Sequence, residues 1–65
     1  MKLNHTVFIK FLSGRSCKYR NVKKVDTDID YSMYQLTDKD GMQVFIDSKV
    51  IEYIEFGNAV EIIEH

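Results

Sequence analysis

Tyr31-Ser32-Met33-Tyr34-Gln35-Leu36-Thr37, followed by Asp38-Lys39-Asp40-Gly41 and then Met42-Gln43-Val44-Phe45-Ile46, has the form of a β-hairpin. Apolar and polar residues alternate on both sides of an Asp-Gly reversal, where Gly supplies the backbone freedom that a tight turn needs. Past the turn, Met42, Val44 and Ile46 point one way and Gln43, Phe45 and Asp47 the other. The same period of two extends outward in both directions. Upstream, Leu3, His5, Val7, Ile9 and Phe11 share one face, Thr6, Phe8, Lys10 and Leu12 share the other, and Ser13-Gly14 ends the run with a turn. From Arg15 to Val25 the phase slips. Cys17 and Tyr19 oppose Lys18 and Arg20, but Tyr19, Val22 and Val25 are three apart. A β-bulge near Asn21 would hold all three against one core, and it would bend the strand.

Asp26-Thr27-Asp28-Ile29-Asp30 reads as a polar connection. Downstream, Asp47-Ser48-Lys49 reads as a short turn, at most one turn of 3₁₀ helix, and residues 50–56 as a strand on their β-branched and aromatic content. Gly57-Asn58 reads as a two-residue hairpin turn into a last strand over residues 59–63. The expectation is a single all-β domain over residues 1–65, with five strands and a short sixth in a small antiparallel, strongly bent sheet or barrel.

Sixty-five residues set limits on what can hold such a domain together. A chain this short buries only about 60% of its unfolded surface, so small domains recruit disulfides, a metal or partner subunits. Cys17 is the only cysteine, which excludes an internal disulfide. Cys17, His5 and His65 are too few and too scattered for a closed zinc site. A well-closed core, self-association, or both must supply the stability. No apolar run exceeds three residues (as at Val7-Phe8-Ile9), and no secretory signal is read at the N-terminus, so a cytoplasmic location is expected.

The charges are sorted along the chain. Lys2, Lys10, Arg15, Lys18, Arg20, Lys23 and Lys24 all precede the first acid, Asp26, after which ten acids face only Lys39 and Lys49. The net charge of −1 conceals this split. It can mark a basic surface for nucleic acid, an acidic surface for a basic partner, or subunits that attract one another. It can also mark basic strands paired with acidic ones. If the first strand neighbours residues 50–56, Lys10 is expected to face Glu52 or Glu55.

Few constellations carry chemistry. Asp26, Asp28 and Asp30 occupy the first, third and fifth places of a calcium loop, but Tyr31 stands at the required Gly and Thr37 at the bidentate Glu. Cys17 lies among cations that favour its thiolate, yet a catalytic cysteine needs a base, and His5 is the only internal histidine. No catalytic residue, metal or cofactor is expected, and the chain is read as a non-enzyme. Two binding surfaces remain. Arg15, Lys18 and Arg20 could neutralise phosphates, with Phe8, Phe11 or Tyr19 stacking on bases, although Phe11 and Tyr19 fall on the inward face. Ile51, Tyr53 and Glu55 share parity and, if exposed, form an apolar-acidic strip suited to a protein partner.

Val7, Ile9 and Phe11 followed by Ser13-Gly14 resemble the opening motif of Sm-like proteins, a branch of the small SH3-like barrels. Asp26 ahead of Ile29-Asp30 resembles the loop that in that family ends in an RNA-contacting Asn. Ile46-Asp47-Ser48-Lys49-Val50-Ile51-Glu52-Tyr53-Ile54 resembles the family's second motif, I-R-G-x-x-I-x-x-I. The resemblance implies an SH3-like or Sm-like barrel over residues 7–54. Asp30 stands in place of the Asn and Asp47-Ser48 in place of Arg-Gly, and acids repel phosphate, so the family's RNA site does not carry over.

In size and composition the chain also resembles, in kind, the short accessory and inhibitor proteins of phages and mobile elements. The expected function is a non-catalytic binding module that engages another protein and self-associates. A dimer is favoured, through the apolar edge of residues 7–12. The alternatives are an Sm-like nucleic-acid-binding subunit and a nucleotide pocket between subunits, with Arg15, Lys18 and Arg20 on the phosphates.

Overall fold

A computed structural model describes residues 2–65. Seven strands run in chain order: β1 (Val7–Phe11), β2 (Ser16–Tyr19), β3 (Val22–Thr27), β4 (Met33–Asp38), β5 (Gln43–Asp47), β6 (Ile51–Phe56) and β7 (Glu61–Glu64). A 3₁₀ turn, Ser48–Val50, joins β5 to β6, with the Asp47 carboxylate accepting from the Lys49 amide at 2.9 Å. The strands form two sheets, β2-β1-β6 and β5-β4-β3-β7, which do not close into a barrel. The all-β class read from alternation is therefore what the chain adopts.

The expected bend is present and explains the additional strand. Between Tyr19 and Val22 the chain breaks, and Asn21 takes φ 60, a left-handed conformation that Asn tolerates better than most residues. The break divides one long strand between the two sheets. Tyr19, Val22 and Val25 consequently all pack on one core, whose buried members are Val7, Ile9, Val22, Val25, Leu36 and Ile46. The Asp38–Gly41 reversal also follows the sequence. The Asp38 carboxylate accepts from the amides of Asp40 and Met42 at 2.9 Å each, and Gly41 takes φ 88.

Three expectations are corrected. Asp26 and Thr27 belong to β3 rather than to a connection, because Thr27 is buried between Tyr34 of β4 and Glu64 of β7. Residues 7–12 form no sheet edge, since β1 lies between β2 and β6. Gly57-Asn58 is not a hairpin turn, and β7 pairs in parallel with β3 rather than antiparallel with β6. The reason lies in the N-terminal arm. The Gly57 amide donates to Thr6 at 2.8 Å and the Ala59 amide to Asn4 at 2.9 Å, so the arm extends the β1–β6 ladder past Phe56. The turn that follows, closed by the Val60 amide on the Gly57 carbonyl at 3.1 Å, leads to β3 instead of back along β6. Asn58 closes over the arm by accepting from the Asn4 amide at 2.7 Å.

The β3–β4 connection is organised by Asp28. Its carboxylate accepts from the Ser32 amide at 2.7 Å and from the Ser32 hydroxyl, while Tyr31 takes φ 54. Those two bonds stabilise the charged form and hold the Asp28 carboxyl below its usual 3.8. A depressed carboxyl contributes stability that is complete above the unfolded value and is lost as pH falls through the folded one. The Ser32 amide resonance should therefore titrate with a midpoint below 3.8 and move little above it; a midpoint at or above 3.8 would contradict the bonding described.

Gly57 is required for a different reason from the turn glycines. A Cβ there would lie 2.8 Å from the carbonyl carbon and Oδ1 of Asn4, and closer still to its carbonyl oxygen. Gly57→Ala must push the arm away, and is expected to lower stability by about 1–3 kcal/mol. In a domain of this size that is a large share of the total. Urea unfolding measures it, and an unchanged midpoint would show that the arm contributes nothing.

Candidate binding face

The three-stranded sheet buries Val7 and Ile9 on its inner side and so turns their neighbours outward. Registers place Lys18, Phe8 and Glu55 in one row across the sheet, and Ser16, Lys10 and Tyr53 in the next. Arg20, two residues beyond Lys18, reaches the same side and lines a shallow hollow of about 650 Å³ with Thr6, Phe8, Lys18, Tyr53 and Glu55. The Phe8 and Tyr53 rings sit together in the middle, with centroids 6.0 Å apart and planes tilted by 34°. Tyr53 is 46% exposed. An aromatic pair thus lies on a solvent-facing sheet beside three cations.

Those cations are not neutralised by ion pairing. Among the described residues the ion pairs are Lys24–Asp26 at 3.8 Å and His65–Asp26 at 2.9 Å, both in the second sheet. Lys10 does not face Glu52 or Glu55. It lies opposite Tyr53, and its Nζ donates to the Gly14 carbonyl at 3.0 Å. Glu55 is separated from Lys18 by the whole of Phe8, because each occupies a different outer strand of the row.

Of the six candidate residues, Lys18, Arg20, Tyr53 and Glu55 converge on this face, whereas Arg15 and Ile51 do not. Ile51 is turned inward by an irregularity in the β1–β6 pairing. Lys10 pairs with Tyr53 and Phe11 with Ile51, so Glu52 is skipped and the alternation reverses there. Ile51 then packs against the core with Ile54 and Phe56. Arg15 lies at the far end of β2, beside Phe11, Leu12, Cys17 and Val50, so it forms no phosphate-holding trio with Lys18 and Arg20 within the subunit. Phe8 is the residue that sequence reasoning undervalued. Its parity with Lys10 marked it as outward, while Phe11 and Tyr19, the aromatics that drew attention, pack inward.

The chemistry-bearing residues elsewhere stand apart. Cys17 is opposite Ile9, whereas His5 lies near Val22 with its Nδ1 3.3 Å from the Val22 carbonyl oxygen. The four residues from His5 to Ile9 separate these positions by about 13 Å of extended chain, too far for a thiol–imidazole pair. Burial, followed by the neighbouring Cys17, raises the Tyr19 hydroxyl pKa, so this phenol stays protonated across the neutral range. Asp26 is paired with His65 and Asp28 is bonded to Ser32, and no group of three or more His, Cys, Asp or Glu is placed to hold a metal among the described residues. No helix among them is long and apolar enough to cross a membrane. Comparison of the chain with models of known protein families, with curated proteins and with solved structures finds no match.

Proposed function

We propose that the protein is a non-catalytic binding module and that the outer face of the β2-β1-β6 sheet holds single-stranded nucleic acid. The observation that carries this reading is the Phe8–Tyr53 pair set beside Lys10, Lys18 and Arg20, with the three cations free of ion pairs. Aromatic side chains on a sheet stack on unpaired bases, at about 1–3 kcal/mol per base, while neighbouring cations follow the phosphates. Duplex DNA hides its base faces and suits such a platform less well. The strand order sets the scaffold and does not by itself select the ligand. A central β1 flanked by β2 and β6, a bent strand shared between sheets, and a 3₁₀ turn before β6 are in the order expected of an SH3-like barrel, with β7 added in parallel and the sheets left open.

A second reading keeps the earlier expectation of an accessory protein that covers a surface of another protein. Glu55 favours it, because a carboxylate beside Phe8 opposes phosphate and suits a basic or mixed partner.

Fluorescence anisotropy with labelled oligothymidine separates the two. Binding at low salt that weakens steeply as salt rises is expected for the nucleic-acid reading. Tyr53→Ala should weaken it by about tenfold, the equivalent of one stacked base, Lys18→Glu with Arg20→Glu should weaken it further, and Glu55→Gln should strengthen it. No binding at low salt, or binding indifferent to all these substitutions, would overturn the nucleic-acid reading and leave the protein-partner reading.

A further inference from the structure

Among the described residues no cation of β1 or β2 is ion-paired with an acid of the late strands, and the open sheet edges are the basic β2 and the later β5, β6 and β7. β2 is an edge of the first sheet and β7 an edge of the second. Beside β2 lies a hollow of about 550 Å³ whose floor is Phe11, Leu12, Cys17 and Val50 and whose rim carries Arg15 and Lys49, with no acid lining it. Leu12 is 66% exposed and Val50 48%, a large apolar exposure for so small a domain. β7 has the opposite character. It reads Glu61-Ile62-Ile63-Glu64, with both glutamates exposed and Ile62 47% exposed.

An unpaired edge beside an apolar, basic-rimmed hollow is matched by an unpaired edge carrying apolar residues between acids. We propose that the protein self-associates head to tail, with β7 of one copy adding to the free edge of β2 in the next. Ile62 of the donor enters the hollow, and Glu64, on the same face of the strand as Ile62, lies against Arg15 and Lys49 of the acceptor. Main-chain hydrogen bonds then satisfy both open edges, and the opposite charges fix the orientation. The donor and acceptor surfaces are different patches, so the contact is heterologous and continues past a dimer. The apolar hollow shares no residue with the hollow around Phe8 and Tyr53, so the association is tested separately from nucleic-acid binding.

Sedimentation velocity at low salt, across micromolar to high-micromolar protein, should show species larger than a dimer. Arg15→Glu with Lys49→Glu, and separately Glu64→Lys, should each weaken association by about tenfold or more, since each places like charges together. Mixing the two variants should restore it, because each then offers the surface the other lacks. A second readout uses the native thiol. Ile62→Cys, treated with a short bismaleimide, should cross-link to Cys17 of the next copy and give a covalent ladder, while Ile62→Cys with Cys17→Ser should stop at dimers. If either charge variant fails to fold, the ladder decides alone. A wild-type monomer or strict dimer throughout, failure of the mixture to restore association, or no ladder would overturn the proposal.

Discussion

The structure depends on one backbone constraint, the break at Arg20-Asn21. A chain of this length has few apolar side chains, and Tyr19, Val22 and Val25 reach a common core only if the strand changes direction between them. Asn21 adopts the left-handed conformation at φ 60 that permits the change, so one continuous run of residues serves as the edge of the first sheet and an interior strand of the second. The resulting core of Val7, Ile9, Val22, Val25, Leu36 and Ile46 is small. It leaves Leu12, Phe45, Val50 and Ile62 largely in water.

The bend also governs where charge can go. Because β2 turns away into the second sheet, its cations never meet the acids of β6 side by side; β1 lies between them. Phe8 occupies the middle of that row, and the separation turns a possible set of cross-strand ion pairs into an aromatic platform with unneutralised cations. The acids of β7 are held in the second sheet, beside β3. A sorted sequence of charges thus becomes a spatially sorted surface, and the attraction left unspent within the subunit is available to a ligand or to another copy.

Alternation in β1, β4 and β5 was legible because each residue there answers to a single nearby core, and the turn chemistry of Asp38 and Gly41 is local. The need for a bend near Asn21 followed from the spacing of Tyr19, Val22 and Val25. The fate of the C-terminus was not legible. Gly57-Asn58 has hairpin chemistry and residues 57–60 do turn, but the N-terminal arm, more than fifty residues away in sequence, bonds to Gly57, Asn58 and Ala59, and the strand that follows pairs with β3 and not with β6. Ile51 was misplaced for a related reason, since the irregularity at Glu52 arises from how β6 seats against β1.

By itself the sequence determined the all-β class, the bent second strand, the central hairpin, the 3₁₀ turn and the sorting of charge, because each rests on side-chain alternation or on the preferences of a few adjacent residues. Tertiary structure alone decided that β1 is an inner strand, that β7 runs parallel to β3, and that Phe8 and Tyr53 meet between opposing rows of charge. Those outcomes depend on which distant strands compete for the same backbone hydrogen bonds, and no single segment encodes that competition.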